Sequence, residues 1–299
     1  MLNKIKHSVA LFAELSKIKI PVAVSLSSLT GYLVHSGRMD AGALVSTAGV
    51  FLLASGSAAL NQFQEHRYDA LMKRTSRRPI PSGRYSAAGT LWFSIVAALA
   101  GTLILFFGSN LIAALIGLLT LLWYNGIYTP MKRKSVFAIL AGAFVGAFPP
   151  MIGWTAAGGY VFAPAIILIA MLLFIWQVPH FILLLLKFGK EYEVAGFSSL
   201  TAYFDEKQLK RLIFVWILAT VFSVMLIPVA GVVTSRVIIL ALLLSSVWLV
   251  YSFYILMTKP QANIRKAFMQ INLFLLLVLA LFAADSLMST KVLWVVFWL

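Results

Sequence analysis

Long apolar runs recur along the chain and are separated by short segments that contain charged residues, glycine or proline. About nine of these runs approach the roughly 20 residues that an α-helix needs to cross a bilayer. We place them at residues 20–36, 42–62, 87–107, 110–128, 136–157, 161–186, 211–232, 236–257 and 268–288. The first run is the weakest because it is rich in serine, and residues 8–19 before it predict a short amphipathic helix at the membrane interface. The pattern predicts an all-α bundle of about nine transmembrane helices.

The composition supports this interpretation. Hydrophobic residues make up 62% of the chain and charged residues only 11%, which lies far outside the range of soluble domains. The absence of cysteine excludes disulfides, thiolate metal sites and cysteine nucleophiles. The sequence shows no internal repeat, no cleavable signal and no second domain, so we expect a single integral-membrane domain over residues 1–299.

The basic residues are distributed very unevenly between the two ends of the predicted spans. Of the 24 lysines and arginines, 21 lie before the first run or in the loops that share its side, and the exceptions are Arg38, Arg236 and Lys291. Positive residues in short loops remain in the cytoplasm. The map therefore predicts a multi-pass protein with a cytoplasmic N-terminus and an external C-terminus. The net charge of +15 follows from this topology and does not indicate nucleic-acid binding.

Three oxygen-bearing side chains recur at a spacing of four residues where the second run ends. They are Asn61, Glu65 and Asp69, and residues four apart stack along one face of a helix. Because ionised groups at membrane depth are costly, such a group needs a partner or a function. Mg²⁺ prefers oxygen ligands and is commonly shared between carboxylates and substrate phosphates. The oxygen ladder, as we call these three residues, therefore predicts a magnesium site for a phosphorylated substrate.

Basic residues follow the oxygen ladder closely. For each of them taken singly, ordinary positive-inside charge is the simpler explanation. Taken together with the carboxylates, they form a candidate diphosphate site, because arginine binds phosphate oxygens in a bidentate manner and lysine adds a point charge. The candidates are Lys73, Arg74, Arg77 and Arg78, with Lys132 and Arg133 from another helix end.

The remaining polar candidates have simpler alternatives. Asp205 and Glu206 have the character of solvated loop charges. His180 follows Pro179 inside an apolar run, where a lone histidine is more often a hydrogen-bonded structural group than a ligand.

Four stretches form a recognisable set. They are the oxygen ladder with Arg74-Thr75 and Arg78-Pro79, then 124–133, 146–154 and 176–181. This set resembles the UbiA superfamily of intramembrane prenyltransferases and, within it, the protoheme IX farnesyltransferases. The last two stretches and the Arg-Thr-x-x-Arg-Pro segment are typical of the heme branch, whereas the oxygen ladder alone indicates only the superfamily.

The resemblance implies a fold, a reaction and a site. The fold would be a helix bundle in the cell inner membrane, surrounded by lipid, with a central cavity that opens to the cytoplasmic side under the 63–86 and 187–211 loops. The reaction would transfer a farnesyl group from farnesyl diphosphate to a vinyl group of protoheme IX, giving heme O. Heme A synthase or oxidase assembly factors are the protein partners that it suggests. The implied catalytic metal ligands are Asn61, Glu65, Asp69 and Glu191, with His180 and Trp176 at the heme.

The sequence departs from the family pattern at three positions. Glu65 stands where most of the superfamily has aspartate, which lengthens the ligand and keeps its charge. Lys190 replaces an acid in the second acidic motif, which leaves Glu191 as the matching residue. The family pattern also leads us to expect a proline near Ser198, which this sequence lacks.

Two other functions fit part of the pattern. A prenyltransferase of the same superfamily that acts on 4-hydroxybenzoate or another quinone precursor would share the oxygen ladder. A secondary transporter would also carry intramembrane acids, but carriers place them near the midplane between repeats. The absence of a repeat and the clustering of acids at one membrane face disfavour the transporter.

Overall fold

The computed structural model describes residues 2–258 and 263–288 of the chain, and the regular elements in these ranges are all helical. The helices are α1 (Leu2–Ser16), α2 (Lys19–Ser36), α3 (Ala41–Asp69), α4 (Ala87–Gly108), α5 (Leu111–Leu122), α6 (Thr129–Met131), α7 (Ala138–Ala156), α8 (Pro164–Val194), α9 (Glu206–Val229), α10 (Arg236–Thr258) and α11 (Ile264–Met288). A π-helical segment, Trp123–Tyr128, joins α5 to α6. The prediction of an all-α membrane bundle is confirmed.

Within the described ranges, eight helical segments have the length and apolarity needed to cross a membrane. They include α5 to α6 as one continuous span, Leu111–Met131. The predicted span at 20–36 is a helix of almost the predicted extent, but it is not among the eight. This helix, α2, is rich in serine and packs against α3, α7 and α11. Protein contacts, more than lipid contacts, therefore determine its composition.

Two helices extend well beyond their predicted ends. The oxygen ladder lies within α3, which continues to Asp69. Helix α8 continues to Val194 and ends before Gly196, which adopts a left-handed φ of +78°. Glu191 therefore lies on a helix and not in a loop. The segment from Lys187 to Glu193 continues the helix because its lysines and glutamates are good helix formers, and the single Gly189 does not end it. The predicted ends at residues 62 and 186 were too early, because hydropathy marks the apolar part of a helix and not its polar continuation.

The start of α9 gives a specific role to an acid that the sequence suggested was only a solvated charge. Asp205 accepts a hydrogen bond from the Gln208 backbone N–H at 2.8 Å, and the Gln208 side chain accepts one from the Asp205 N–H at 2.9 Å. This capping box satisfies two backbone donors at the helix start.

Small residues allow α2 and α7 to cross at close range. A Cβ placed on Gly31 would overlap the backbone of Pro150, and one on Gly153 would overlap the carbonyl of Ser28. Lipid tails are as apolar as the helix surfaces, so the hydrophobic effect does not drive helices together inside a membrane. Close backbone packing at small residues is therefore a usual basis of helix association there. The stretch 146–154 thus has a packing role at Gly153.

Polar contacts tie the helices together at the end of the bundle remote from the oxygen ladder. The buried Asp285 accepts hydrogen bonds from the backbone N–H groups of Thr234 and Ser235, just before α10. Asn110 donates to the Thr155 carbonyl at 2.6 Å, which links the start of α5 to the end of α7. Lys259, Lys291 and the predicted external C-terminus lie outside the described residues.

Candidate active site

The oxygen ladder lies buried along one face of the last turns of α3. Asn61, Glu65 and Asp69 expose 1%, 5% and 1% of their surfaces. Because two carboxylates in such a site carry a large desolvation cost, each needs a compensating charge. Basic groups from other segments provide these charges.

A lysine and an arginine each pair with one carboxylate of the oxygen ladder. The Lys132 Nζ lies 2.5 Å from Glu65 Oε1, and the Arg78 guanidinium donates to Asp69 Oδ2 at 2.6 Å. Lys132 follows α6, whereas Arg78 lies in the compact 70–86 loop. The structure thus brings together two predicted acids and two predicted cations.

Lys17 is a third cation at the site, and it was not predicted from the sequence as a site residue. Its Nζ donates to Asn61 Oδ1 at 2.7 Å, from the break between α1 and α2. Burial, followed by the nearby positive charge of Arg78, lowers the pKa of Lys17 to about 7. Its partner lies 44 residues away in sequence, so no local pattern indicates the contact.

Helix α1 is held against the site by its last turn. The Gln62 side chain donates to the carbonyls of Glu14 and Leu15, at 2.7 and 2.8 Å. The Glu14 carboxylate accepts hydrogen bonds from both terminal nitrogens of Arg84, at 3.1 and 2.5 Å. These contacts fix α1 to α3 and to the 70–86 loop, and thereby fix the position of Lys17.

Arg133 does not contact the oxygen ladder. Its guanidinium stacks on Tyr68 at 4.1 Å from the ring centroid and donates to the Gln64 carbonyl at 3.1 Å. These contacts clamp the segment after α6 to the end of α3, which is a structural role.

The other predicted ligands lie farther from the buried carboxylates. Glu191 accepts a hydrogen bond from the Arg74 backbone N–H at 3.1 Å and so contacts the 70–86 loop. The side chains of three predicted diphosphate ligands are exposed: Lys73, Arg74 and Arg77. Their roles, like that of Glu191 at a metal, stay predictions.

A hydrogen bond between two loops positions Lys132. The Ser198 backbone N–H donates to the Lys132 carbonyl at 3.0 Å, and the Ser198 hydroxyl donates to the Arg133 carbonyl at 3.4 Å. The neighbouring Phe197 packs on Tyr68, with ring centroids 5.5 Å apart. The segment after α8 therefore holds the cation that pairs with Glu65. A proline at position 198 would have no N–H for this bond.

We expect Ser198→Pro to raise the KM for the phosphorylated substrate that the sequence predicts, because Lys132 loses the hydrogen bond to its backbone carbonyl. The loss of one hydrogen bond, about 0.5–1.5 kcal/mol, corresponds to roughly a 2- to 13-fold change. Ser198→Ala retains the N–H and should stay close to the parent KM. Steady-state kinetics of the two variants make the comparison, and equal KM values for them would show that the bond does not position Lys132.

The π-helical segment presents two tyrosines near the oxygen ladder. The Thr129 N–H bonds to the Tyr124 carbonyl five residues earlier, which is the π-helical pattern. The rings of Tyr124 and Tyr128 lie 5.5 Å apart, and Lys132 Nζ lies 5.0 Å from the centre of the Tyr128 ring. Such π-helical insertions occur frequently at functional sites.

A buried polar network secures this segment to α3. Asn125 accepts from the Ser57 hydroxyl at 2.7 Å and exchanges hydrogen bonds with Gln64 at 3.0 and 3.1 Å. Because buried polar groups need partners, the network fixes the relative positions of the π-helical segment and α3.

An apolar cavity lies between α2, α3, α5 and α7, beside the oxygen ladder. Its lining includes Val24, Val50, Leu53, Ser57, Tyr124 and Ile152. Ser57 lies one helical turn before Asn61, so the cavity reaches the polar site. The arrangement places an apolar cavity next to a buried cluster of charged side chains.

His180 and Trp176 lie on α8 and do not contact the oxygen ladder. The Trp176 indole N–H donates to the Ile271 carbonyl at 3.0 Å, which fixes it in the core against α11. The His180 ring packs between Trp176 and Phe268, and its buried Nδ1 has no hydrogen-bond partner. The free Nδ1 leaves His180 available for a ligand, whereas the Trp176 N–H is already used.

The donor set fits Mg²⁺ only when a substrate completes it. The buried Asp69 Oδ1 has no hydrogen-bond partner and is thus free to accept a cation. Across the described ranges, no three His, Cys, Asp or Glu side chains are grouped so that they could hold a metal ion. Mg²⁺ commonly takes one or two carboxylates and relies on phosphate oxygens for the rest. Asn61, Glu65 and Asp69 match that requirement.

Comparison with known proteins decides the family. The sequence profile of the UbiA prenyltransferase family matches residues 24–278. The chain belongs to the UbiA prenyltransferase family. It is therefore a prenyltransferase, as the four sequence stretches predicted.

Relatives of this UbiA prenyltransferase include two bacterial proteins named protoheme IX farnesyltransferase. The one from Oleidesulfovibrio alaskensis is 31% identical over 94% of this chain and 98% of its own length. The one from Solibacter usitatus is 36% identical over 81% of this chain and 86% of its own length. Both matches extend over most of the bundle and confirm the branch that the sequence predicted.

Two solved structures show the same fold at low sequence identity. A digeranylgeranylglyceryl phosphate synthase superposes with a TM-score of 0.75 at 16% identity, over 94% of this chain and 99% of that one. A UbiA homologue from Archaeoglobus fulgidus, bound to GPP and Mg²⁺, gives 0.70 at 12% identity, over 93% and 100%. At these identities the likeness establishes the fold.

Proposed function

We propose that this prenyltransferase transfers a farnesyl group from farnesyl diphosphate to a vinyl group of protoheme IX and so forms heme O. The observation that carries the proposal is the near full-length similarity to protoheme IX farnesyltransferases. The site supports it, because buried acids and cations adjoin an apolar cavity. The quinone-precursor alternative is not favoured by these relatives.

The cations of the site would bind the diphosphate and stabilise it as it leaves. Lys132, Arg78 and Lys17 surround the oxygen ladder and match the growing negative charge on the leaving group. Mg²⁺ held by Asn61, Glu65 and Asp69, with Glu191 as a further ligand, would neutralise the diphosphate and act as a Lewis acid. When the diphosphate binds, Lys132 would release Glu65 and Arg78 would release Asp69, and both cations would then contact phosphate oxygens.

The bond changes follow from the product. The bond between the allylic carbon and the diphosphate oxygen breaks, and inorganic diphosphate leaves with the electron pair. The vinyl group attacks the allylic carbon, which places the positive charge on the porphyrin side. Water adds there and loses a proton, which leaves the hydroxyl group of the product. Tyr124 and Tyr128 would shield the allylic cation, since aromatic faces stabilise cations.

The apolar cavity would bind the farnesyl chain. It extends along α3 from Ser57 to Val50, which is about 10 Å of helix. His180 would contact the porphyrin through its free Nδ1. Trp176 would support His180 from its fixed position in the core.

The orientation in the membrane follows from the asymmetry of the basic residues. We infer one domain in the cell inner membrane, in which α2 crosses the bilayer in addition to the eight apolar segments, with a cytoplasmic N-terminus and site, and an external C-terminus. Protoheme IX would reach the site from the membrane, and heme A synthase or an oxidase assembly factor would receive the product.

The experiment that tests the function uses the purified full chain with Mg²⁺, farnesyl diphosphate and protoheme IX. We expect a heme that is heavier by one farnesyl group and one hydroxyl group, detected by mass spectrometry. A parallel reaction offers 4-hydroxybenzoate in place of protoheme. Prenylation of 4-hydroxybenzoate with no change in protoheme would replace the heme assignment by the quinone-pathway one.

A further inference from the structure

Two cations share one aromatic ring at the end of α8. The Arg74 guanidinium carbon lies 4.8 Å from the centre of the Phe188 ring, and the Lys187 Nζ lies 5.0 Å from the same centre. Neither cation belongs to any of the ion pairs formed within residues 2–258 and 263–288. Both side chains are exposed. We call Arg74, Lys187 and Phe188 the cationic rim.

The cationic rim is connected to the active site by one face of α8. Phe181 and Phe188 are seven residues apart, which places them on the same face about 10 Å apart along the axis. The Phe181 ring lies 5.9 Å from that of Tyr128, which in turn neighbours Lys132. The face therefore forms an aromatic wall that begins beside the Lys132–Glu65 pair and ends at the cationic rim.

The diphosphate site already has its own cations, so the cationic rim is not needed there. Arg78 and Lys132 pair with the buried carboxylates, whereas Arg74 directs its side chain to Phe188. The Arg74 backbone N–H is held by Glu191, which fixes the base of the side chain. The ring attracts both cations and does not neutralise them. The cationic rim can therefore receive two further negative charges.

We propose that Arg74 and Lys187, supported by Phe188, bind the two propionate carboxylates of protoheme IX. This inference rests on the proposed function. The porphyrin carries its two vinyl groups, one of which reacts, on one side and its two propionates on the opposite side. When a vinyl group lies at the allylic carbon beside the oxygen ladder, the propionates point away from it, along the aromatic wall and towards the end of α8. The flat macrocycle then lies against the wall, and each carboxylate meets one cation.

The closing experiment measures protoheme binding directly, by the change in its Soret absorption on titration into the purified full chain. The chain is embedded in phosphatidylcholine vesicles, and the two ligands are protoheme IX and its dimethyl ester, whose propionates carry no charge. We expect the parent to bind the ester about tenfold more weakly, which corresponds to about 1.4 kcal/mol. Arg74→Gln and Lys187→Gln should bind protoheme more weakly by a similar factor and lose the discrimination against the ester.

The chain provides matched controls. Lys190→Gln removes an exposed cation from the same helix end and should leave both dissociation constants unchanged. Arg74→Lys retains the charge and should restore part of the discrimination. The KM for farnesyl diphosphate should stay within about twofold in Lys187→Gln and Lys190→Gln, because neither residue is among the candidate diphosphate ligands.

The outcomes separate this inference from the proposed function. Equal dissociation constants of the parent for protoheme and the ester would overturn the propionate site even if heme O is formed. An effect of the variants seen only when phosphatidylglycerol is added would also overturn it and would assign the cationic rim to anionic lipid head groups. Absence of any prenylated heme, with the discrimination intact, would overturn the reaction and leave the binding site standing.

Discussion

Asp69→Asn and Glu65→Gln should each reduce prenyl transfer by on the order of 10²–10³-fold, the size of effect seen when one preorganised electrostatic contact to a transition state is removed. Each change removes a buried negative charge and keeps the shape of the side chain. Asp69 should be the more sensitive position, because its Oδ1 is buried and unpaired while Oδ2 already accepts from Arg78. The measurement is the rate of prenyl transfer at saturating Mg²⁺, with protoheme IX or 4-hydroxybenzoate as the acceptor.

The control for charge removal is Glu206→Gln. Glu206 is exposed and pairs with the buried Lys210 one turn later on α9, at 2.7 Å. Within the described residues, Glu206 has no contact with the oxygen ladder, so this variant should retain the parent rate although Lys210 loses its partner. Mg²⁺-dependent turnover above half the parent rate in Asp69→Asn or Glu65→Gln would contradict the assignment of the oxygen ladder to the metal and diphosphate.

Gly153→Ala should destabilise the bundle more than any other single methyl addition at α7. The added Cβ would overlap the Ser28 carbonyl, and backbone cannot move aside as a flexible side chain can. Overpacking of this kind costs about 1–3 kcal/mol, and α2 must shift away from α7 to accommodate it. The thermal unfolding midpoint of the detergent-solubilised protein should fall, together with its yield.

Gly126→Ala is the matched control for that experiment. A Cβ on Gly126 meets no atom within 4 Å, so the same chemical change adds no overlap. Its unfolding midpoint should stay near that of the parent. If Gly153→Ala and Gly126→Ala unfold at the same temperature, the close crossing of α2 and α7 does not contribute to stability.

The sequence by itself determined the features that depend on local spacing. Hydropathy indicated the spans because a bilayer of fixed thickness requires apolar runs of a certain length. The oxygen ladder was predictable because residues four apart on any α-helix lie on one face, whatever the helix packs against. The four motif stretches indicated the family, and the matching profile over residues 24–278 confirmed it.

The structure alone decided which charges meet. Lys17 and Asn61 are 44 residues apart, and Lys132 and Glu65 are 67 apart in numbering, so no periodic pattern predicts either contact. The same holds for the Ser198 N–H on the Lys132 carbonyl. The structure also decided the different partners of two nearby arginines: Arg74 stacks on Phe188, whereas Arg78, four residues later, pairs with Asp69. Helix packing brings distant segments together, and the fold of the 70–86 loop selects which arginine is buried with a carboxylate.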